Sequence, residues 1–266
     1  MMSRERSAGP ILAALLLWGV PAGAVPDFTP IVPPGTEAAD ASLQGRVLRA
    51  LAEDEKVRGL EVSAEVRAGR AVLRGRVANL QDRDNAVLAA ARVRGLLDLR
   101  DELEIAPRPG GDGALRTTLE SALAAELRSV RLGVEVKDGR VVLTGLVSNT
   151  TQRAAARNRV LRVEGVRGLR NDILVQSEQG LDDARMRLRL VELIENRRLY
   201  PLEGEITVQV RDRRVTLAGV VPRVFDKLIA EKVAGIISGV RELKNEIEVI
   251  PSTGTDVRQV LPLPPP

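Results

Sequence analysis

The chain contains neither cysteine nor histidine among its 266 residues. Without cysteine there are no disulfide bonds, no thiolate metal sites and no thiol to carry a lipid. Without histidine or cysteine, neither a Ser/His/Asp triad nor a Cys/His pair can be assembled, so the common routes of nucleophilic catalysis are excluded. The sequence therefore predicts a protein that is not an enzyme and that binds no cofactor and no metal.

Acidic residues are the remaining candidates for catalysis or calcium binding, but they lie near expected helix ends. Acids near a helix N-terminus interact favourably with the helix dipole, and runs of charge are usually solvated. We therefore interpret them as helix-end and surface residues. The clusters concerned are residues 53–55, Asp82 with Asp84, and Asp182 with Asp183.

Aromatic residues are also scarce, at 2% of the chain. The one tryptophan, Trp18, lies near the N-terminus, and the rest of the chain has only Phe28, Tyr200 and Phe225. Proteins that bind RNA or single-stranded DNA stack bases on aromatic rings. The scarcity of rings argues against nucleic-acid binding, although the pI is about 9.9.

Residues 1–24 have the features of a secretory signal peptide. Arg4 and Arg6 precede an apolar run, and Ala22-Gly23-Ala24 offers an A-x-A cleavage site. The run is about half of the roughly 20 apolar residues that a transmembrane helix needs. We expect an exported chain with no transmembrane segment after cleavage, a proline-rich linker at 25–39 and a disordered proline-rich tail at 251–266.

One frame of residues occurs three times between these ends. Two glycines mark it, and 20 residues separate them in every copy. Such fixed spacing indicates a tandem repeat. We define repeat 1 as residues 40–106, repeat 2 as 113–176 and repeat 3 as 181–250. The glycine pairs are Gly75 and Gly95, Gly145 and Gly165, and Gly219 and Gly239.

The apolar pattern around the glycines predicts the order of secondary structure. In repeat 2, Leu132, Val134 and Val136 alternate with polar residues, which is typical of a strand, and a turn and a second strand follow. After the glycine, an i, i+4, i+7 stripe indicates a helix, and a third strand closes the frame. A further helix precedes the hairpin. Each repeat is therefore predicted to be an α-β-β-α-β unit.

The first glycine of each pair comes late in the second strand of the hairpin. Its recurrence predicts a bulge or a close backbone approach that a Cβ would obstruct.

The hairpin turns differ between repeats, because Asp138-Gly139 suits a two-residue turn whereas Asp212-Arg213 supplies no glycine. We expect repeat 3 to diverge most, and the short connection at 176–180 to bring repeats 2 and 3 into contact.

These residues resemble the BON domain. The resemblance is carried by the V-x-L-x-G hairpin, as at Val141, Leu143 and Gly145, and by Gly165-Val166 followed by x-x-L-x-N ending at Asn171. Repeat 1 departs from this pattern with Ala71, Leu96 and Asp101. We expect an α+β fold of three tandem units, each a small three-stranded mixed sheet packed by two helices.

The resemblance implies a role in the bacterial envelope, since the family occurs in envelope and osmotic-stress proteins. One function that it implies is a periplasmic module that binds anionic phospholipid surfaces peripherally. The alternative is an envelope scaffold that binds protein or cell-wall partners through sheet faces or edges. With so few aromatic residues, any contact with a membrane is expected to be electrostatic and shallow.

Positive charge is concentrated in repeat 2. From residue 113 to residue 176 there are 11 Arg or Lys and 6 Asp or Glu, whereas the other repeats are nearly balanced. The second helix of this repeat carries four arginines off its apolar stripe, on a face expected to be exposed. Such a face suits phospholipid head groups, and an arginine-rich solvated helix is the equal alternative. The candidate lipid-binding residues are Arg153, Arg157, Arg159 and Arg162.

Overall fold

The computed structural model of the chain describes residues 37–127, 130–176, 181–196 and 202–250. These residues belong to one compact unit. The predicted signal peptide and the predicted tail lie outside them, as does the predicted linker up to residue 36. The first helix begins at Glu37, so the last three residues of the stretch predicted to be linker are helical.

The three predicted units are present, and each runs α-β-β-α-β. Repeat 1 contains α1 (Glu37–Glu53), β1 (Glu61–Arg67), β2 (Arg70–Val77), α2 (Leu80–Ala91) and β3 (Asp98–Ile105). Repeat 2 contains α3 (Gly111–Glu126), β4 (Leu132–Lys137), β5 (Arg140–Val147), α4 (Thr150–Leu161) and β6 (Gly168–Val175). Repeat 3 contains α5 (Asp183–Glu195), β7 (Glu205–Arg211), β8 (Arg214–Val221), α6 (Val224–Ala234) and β9 (Glu242–Val249).

Each repeat has its own three-stranded mixed sheet, as predicted. The first two strands form an antiparallel hairpin, and the third lies parallel to the second, which is therefore central. In repeat 2 Leu143 on the central strand is opposite Val134 on one side and Asn171 on the other. The helix between the second and third strands supplies the crossover that a parallel pair requires. The predicted α+β architecture is confirmed.

Both helices of a repeat bury one face against one side of the sheet. The first helix does so with residues four apart, such as Leu115, Leu119 and Leu123 in α3. The central strand contributes a leucine with no exposed surface in every repeat: Leu73, Leu143 and Leu217. Burying one such side chain contributes roughly 1.5 to 3 kcal/mol, so these stripes position the helices firmly on the sheets.

An aspartate at the start of the first helix fixes the hairpin turn of each repeat. In repeat 3 the carboxylate of Asp183 accepts the backbone N–H groups of Asp212, at 2.6 Å, and Arg213, at 3.0 Å. Those two turn residues have positive φ angles of 52° and 62°. Asp40 and Asp112 accept the turn N–H groups of repeats 1 and 2 in the same way. A carboxylate therefore holds the turn of repeat 3 where glycine is missing.

The hairpin glycine lies where two backbones approach closely. Gly145 has a φ of +135°, and a Cβ there would lie 2.9 Å from Leu132 Cδ2 and 3.1 Å from the carbonyl oxygen of Arg131. At Gly75 and Gly219 a Cβ would collide with the carbonyl oxygen of the first residue of the paired strand. Both the φ angle and the contact favour glycine at this position.

Candidate functional site at the junction of three helices

The second helices of the three repeats, α2, α4 and α6, meet head to tail. The carboxyl end of α4 contacts the amino end of α2, where the N–H of Gly165 donates to the carbonyl oxygen of Ala78 over 3.1 Å. Asp82 lies in the first turn of α2. Burial raises the pKa of its carboxyl group and the nearby Glu164 adds to the rise, while a hydrogen bond from the Asn79 side chain opposes it.

The carboxyl end of α6 contacts the amino end of α4 through one arginine. Arg153 donates from Nη1 to the carbonyl oxygen of Ile236 over 2.6 Å and to that of Gly235 over 3.3 Å. A cation at a helix carboxyl end is favoured by the helix dipole. Repeat 2 is therefore joined to repeat 3 by a polar contact.

The carboxyl end of α2 in turn contacts the amino end of α6. The guanidinium carbon of Arg92 lies 5.3 Å from the centre of the Phe225 ring, and that ring packs against the core of repeat 1. Arg94 also forms an ion pair of 3.3 Å with Glu203. Each helix therefore meets the next one at its end, and the three contacts close into a triangle. A head-to-tail interface that closes in this way leaves no end unpaired.

In the core clusters of the described residues, every residue shared between repeats involves repeat 1. Val77, Leu80 and Ile105 of repeat 1 belong to the core cluster of repeat 2, and Val224 of repeat 3 belongs to the core cluster of repeat 1. Repeats 2 and 3 touch, as expected, through Arg153, but repeat 1 shares buried apolar residues with both of the others.

Arg153 does not lie on an exposed face, which corrects the expectation for this residue. Besides its bonds to α6, it donates from Nε to the carbonyl oxygen of Ile173 and from Nη2 to that of Asn171, each over 3.1 Å. The side chain is half-buried. Arg153 lies off the apolar stripe of α4, but repeat 3 covers it. The apolar periodicity of a single repeat cannot predict contacts with a neighbouring repeat.

Arg157 reaches the middle of the triangle. Its Nη2 lies 3.9 Å from Oδ2 of Asp84 on α2, and Nζ of Lys232 on α6 lies 2.7 Å from the same oxygen. One carboxylate of repeat 1 therefore faces a cation from each of the other repeats. We refer to Asp84, Arg157 and Lys232 as the central charge cluster. From the sequence Asp84 was expected at a helix end and Lys232 was not expected in any site, because these residues meet only when the three repeats pack together.

Arg159 and Arg162 lie at the carboxyl end of α4 and are exposed. Arg159 is two residues beyond Arg157, about 200° around the helix, so it points away from the triangle. Within the described part of the chain, neither arginine forms an ion pair. We call these two residues the outer basic patch.

The side of α4 that carries Arg159 is uncovered, unlike the same side of the other two helices. The positions equivalent to Arg159, counted from the hairpin glycine, are Ala89 in α2 and Val233 in α6. Both are buried, with 2% and 0% of their surface exposed. The charge of Arg159 therefore occupies a place that is apolar and covered in repeats 1 and 3, whereas the position of Arg162 is held by the exposed Arg92 in repeat 1 and by Ile236 in repeat 3.

An exposed apolar pair lies on the outer face of the repeat 2 sheet. Leu146 and Leu174 are neighbours on adjacent strands, and each is 48% exposed. The equivalent neighbours are Arg76 and Glu104 in repeat 1 and Val220 and Glu248 in repeat 3. This pair was not predicted from the sequence, although in each strand an outward leucine beside an inward valine breaks the alternation of apolar and polar residues.

None of the helices in the described ranges is long and apolar enough to cross a membrane.

Comparisons with known proteins identify the repeats. The family model of the BON domain matches three times, at residues 39–107, 111–177 and 182–251. A curated relative is osmotically-inducible protein Y of Escherichia coli strain K12, which is 25% identical over 143 residues, covering 50% of this chain and 71% of that protein.

Two solved structures are distantly similar. One is the C-terminal domain of CdsD, a structural protein of the type III secretion system of Chlamydia trachomatis, at 15% identity over 79% of this chain and 98% of that chain with a TM-score of 0.22. The other is the PrgH periplasmic domain, at 10% identity over 74% and 98% with a TM-score of 0.21. The family model matches most of the residues described above, and the chain belongs to the BON domain family as a protein with three tandem copies of the domain.

Proposed function

We propose that this protein is a non-enzymatic periplasmic component of the bacterial envelope that binds anionic phospholipid surfaces peripherally. It would act there in envelope maintenance or during osmotic stress. Membership of the BON domain family and similarity to an osmotically-inducible protein support the setting. The features of residues 1–24 support export to the periplasm, with no lipid anchor and no membrane-spanning segment after cleavage.

The observation that carries the proposal is the outer basic patch. Arg159 and Arg162 are exposed, and they lie on a side of α4 that the neighbouring repeats leave uncovered. A cation close to an anionic membrane surface contributes on the order of 1 kcal/mol. Arginines at a helix carboxyl end also stabilise the helix by interacting with its dipole. One arginine would be enough for that role, and it would not need to be exposed. Arg153 does not belong to the proposed lipid-binding surface, because its guanidinium group donates hydrogen bonds to backbone carbonyl oxygens.

The test reverses the charge of the patch. In Arg159→Glu with Arg162→Glu, binding to vesicles of anionic phospholipid at low salt should weaken by roughly 30-fold, since two contributions of about 1 kcal/mol are lost. Folding should change little, because exposed substitutions usually stay within about 0.5 kcal/mol each. Co-sedimentation with vesicles measures the binding, and thermal unfolding measures the stability.

A control pair must change the net charge equally without disturbing the contacts between repeats. Arg92 and Arg94 are unsuitable, because the first contacts Phe225 and the second pairs with Glu203. Arg49→Glu with Arg58→Glu is the matched choice, since both residues are exposed in repeat 1. If the control weakens vesicle binding as much as the patch variant, the outer basic patch is not the binding surface.

The second candidate function is the scaffold, and Leu146 with Leu174 favours it. Two adjacent exposed leucines on a sheet face suit a protein partner better than a lipid head group. Leu146→Arg with Leu174→Glu gives this face the charges that repeat 1 has at Arg76 and Glu104. A photoreactive residue at position 146 in cells should give a discrete protein adduct, whereas one at position 76 should not. No adduct at position 146 would rule out this face as a docking surface.

A further inference from the structure

A cleft of about 460 Å³ lies between α2, α4 and α6, where the three repeats meet. Cavities that bind small molecules typically measure about 300 to 1,000 Å³, so this one has the size of a ligand site. Every repeat contributes to its lining, which means that the cleft forms only when all three are packed together. The lining includes Gln81, Asp84 and Leu88 from α2, Arg157 and Leu161 from α4, Lys232 from α6 and Ile236 just after α6.

One part of the cleft carries an excess of positive charge. Arg153, Arg157 and Lys232 line it together with a single carboxylate, Asp84. Lys232 is paired with that carboxylate at 2.7 Å, and Arg153 donates to backbone carbonyls. Three cations against one anion leave an excess that favours an anionic ligand.

Arg157 has donors available in the cleft. It donates from Nη1 to Oδ1 of Asn158 over 3.4 Å, and its Nη2 lies 3.9 Å from Oδ2 of Asp84; both distances are longer than a well-formed hydrogen bond. A guanidinium group has five N–H donors in a planar fork that fits a carboxylate or a phosphate. Its side chain is 42% exposed, so a ligand can reach it.

The fold of the repeats does not account for this cluster. Arg157 is equivalent to Val87 in α2 and to Glu231 in α6, and Lys232 is equivalent to Leu88 and Asn158. Asp84 and Lys232 already form an ion pair between repeats 1 and 3, so the interface does not need Arg157 for that purpose. Arg157 adds a second cation to a carboxylate that is already paired, and an additional anion would complete the arrangement.

The rest of the lining is apolar. Leu88, Leu161, Ile229 and Ile236 contribute hydrocarbon side chains from all three helices. A ligand that suits both parts has one anionic group and one apolar chain. Inorganic phosphate alone would leave the apolar side chains without a partner, and a neutral chain would leave the guanidinium group without one.

We propose that this cleft is a binding site for a small amphiphilic anion, with its carboxylate or phosphate held by Arg157 and Lys232 and its single alkyl chain against the apolar side chains. The site is separate from the outer basic patch, which lies on another side of α4. A fatty acid and a phosphate monoester of a long-chain alcohol share this chemistry and differ in the head group.

The test measures binding by calorimetry to the chain without its first 24 residues, in the absence of vesicles. Dodecyl phosphate and dodecanoate, both below their micelle concentrations, are the two probes of the head group. At least one should bind with a stoichiometry of one. Inorganic phosphate and a nonionic dodecyl amphiphile should each bind weaker by roughly tenfold or more, since each lacks half of the interaction. Equal binding by the nonionic amphiphile, or no binding by either anion, would overturn the proposal.

Variants locate the site. Arg157→Gln should weaken binding by roughly tenfold or more, whereas Arg58→Gln, at an exposed arginine outside both proposed sites, should leave it unchanged. Ala154→Trp should block the cleft, because Ala154 lines it. Asp84→Asn should tighten binding, since it removes the carboxylate that competes for both cations. Unchanged affinity in Arg157→Gln and Ala154→Trp would place the ligand elsewhere and overturn the proposal.

One measurement needs no variant and therefore does not depend on folding of the mutants. Methyl resonances of Leu88, Leu161, Ile229 and Ile236 in the wild-type protein should shift when the probe is added. Those of Leu146 and Leu174, which are exposed on the repeat 2 sheet, should not. Shifts confined to the sheet face would contradict a site in the cleft.

Discussion

The carboxylate of Asp84 in repeat 1 lies 2.7 Å from the ammonium group of Lys232 in repeat 3, although 148 residues separate them in the sequence. This pair lies where three helices from three repeats meet end to end. Because the contacts close into a triangle, each repeat supports the other two. BON domains of about 70 residues bury a limited core on their own, so packing between them adds to the stability of each.

The first prediction concerns this ion pair. Asp84 and Lys232 are about one-third exposed, at 30% and 33%, so solvent screens their attraction. A double-mutant cycle with Asp84→Asn and Lys232→Met should give a coupling energy of about 0.5 to 1 kcal/mol in urea unfolding, and the value should fall with added salt. Strictly additive effects would mean that the pair contributes nothing to the packing of repeats 1 and 3.

The second prediction concerns Arg153. Arg153→Met removes its hydrogen bonds to carbonyls of both repeat 2 and repeat 3, and bonds to a charged group contribute about 1.5 to 3 kcal/mol each. We expect a loss of stability of at least about 2 kcal/mol. Arg159→Met on the same helix should stay within about 0.5 kcal/mol, because Arg159 is exposed. Thermal unfolding of the two variants compares their stabilities directly. Equal stabilities would mean that the hydrogen bonds of Arg153 do not stabilise the protein.

The third prediction concerns the hairpin glycine. Gly145→Val should destabilise the protein by about 1 to 3 kcal/mol, because φ is +135° and the new side chain would meet Leu132 and the carbonyl of Arg131. Gly113→Ala is the control, since a Cβ there meets nothing within 4 Å and the residue lies in the first turn of α3. Should Gly145→Val unfold at the wild-type urea concentration, the close approach does not constrain this position.

The fourth prediction concerns the aspartates that hold the turns. Asp183→Ala should cost about 1 to 3 kcal/mol, because both turn residues that it binds have positive φ angles and neither is glycine. Asp112→Ala should cost less, since Gly139 adopts its turn conformation without strain. Chemical unfolding of the two single variants measures the difference. A larger loss from Asp112→Ala would contradict the idea that Asp183 compensates for the missing glycine.

The repeated fold could be predicted from the sequence because its signals lie within one repeat. A two-residue period, a turn and a helical stripe recur at fixed distances from Gly145 and its equivalents, and each follows from local geometry. The predicted α-β-β-α-β order and the mixed sheet therefore agree with the structure. The conformation of the repeat 3 turn was harder to predict, because Asp183, whose carboxylate binds the turn, lies 29 residues before Asp212 in the chain.

The arrangement of the repeats could not be predicted in this way. Arg153 and Arg159 both lie off the apolar stripe of α4, yet a neighbouring repeat covers one and leaves the other exposed. Periodicity reports which residues face the core of their own repeat and contains no information about a second layer of packing. For the same reason Asp84, Arg157 and Lys232 were separate charges in the sequence and one cluster in the structure.

The salt dependence of vesicle binding decides whether repeat 2 meets an anionic surface through Arg159 and Arg162. Wild-type protein and the Arg159→Glu with Arg162→Glu variant are sedimented with vesicles rich in anionic phospholipid as salt rises from about 0.05 to 0.5 M, a range over which the Debye length falls severalfold. We expect the wild type to bind at low salt and to be released as salt rises, while the variant binds weakly throughout. Wild-type protein that ignores anionic vesicles at low salt, or a variant that binds and releases like the wild type, would contradict this expectation.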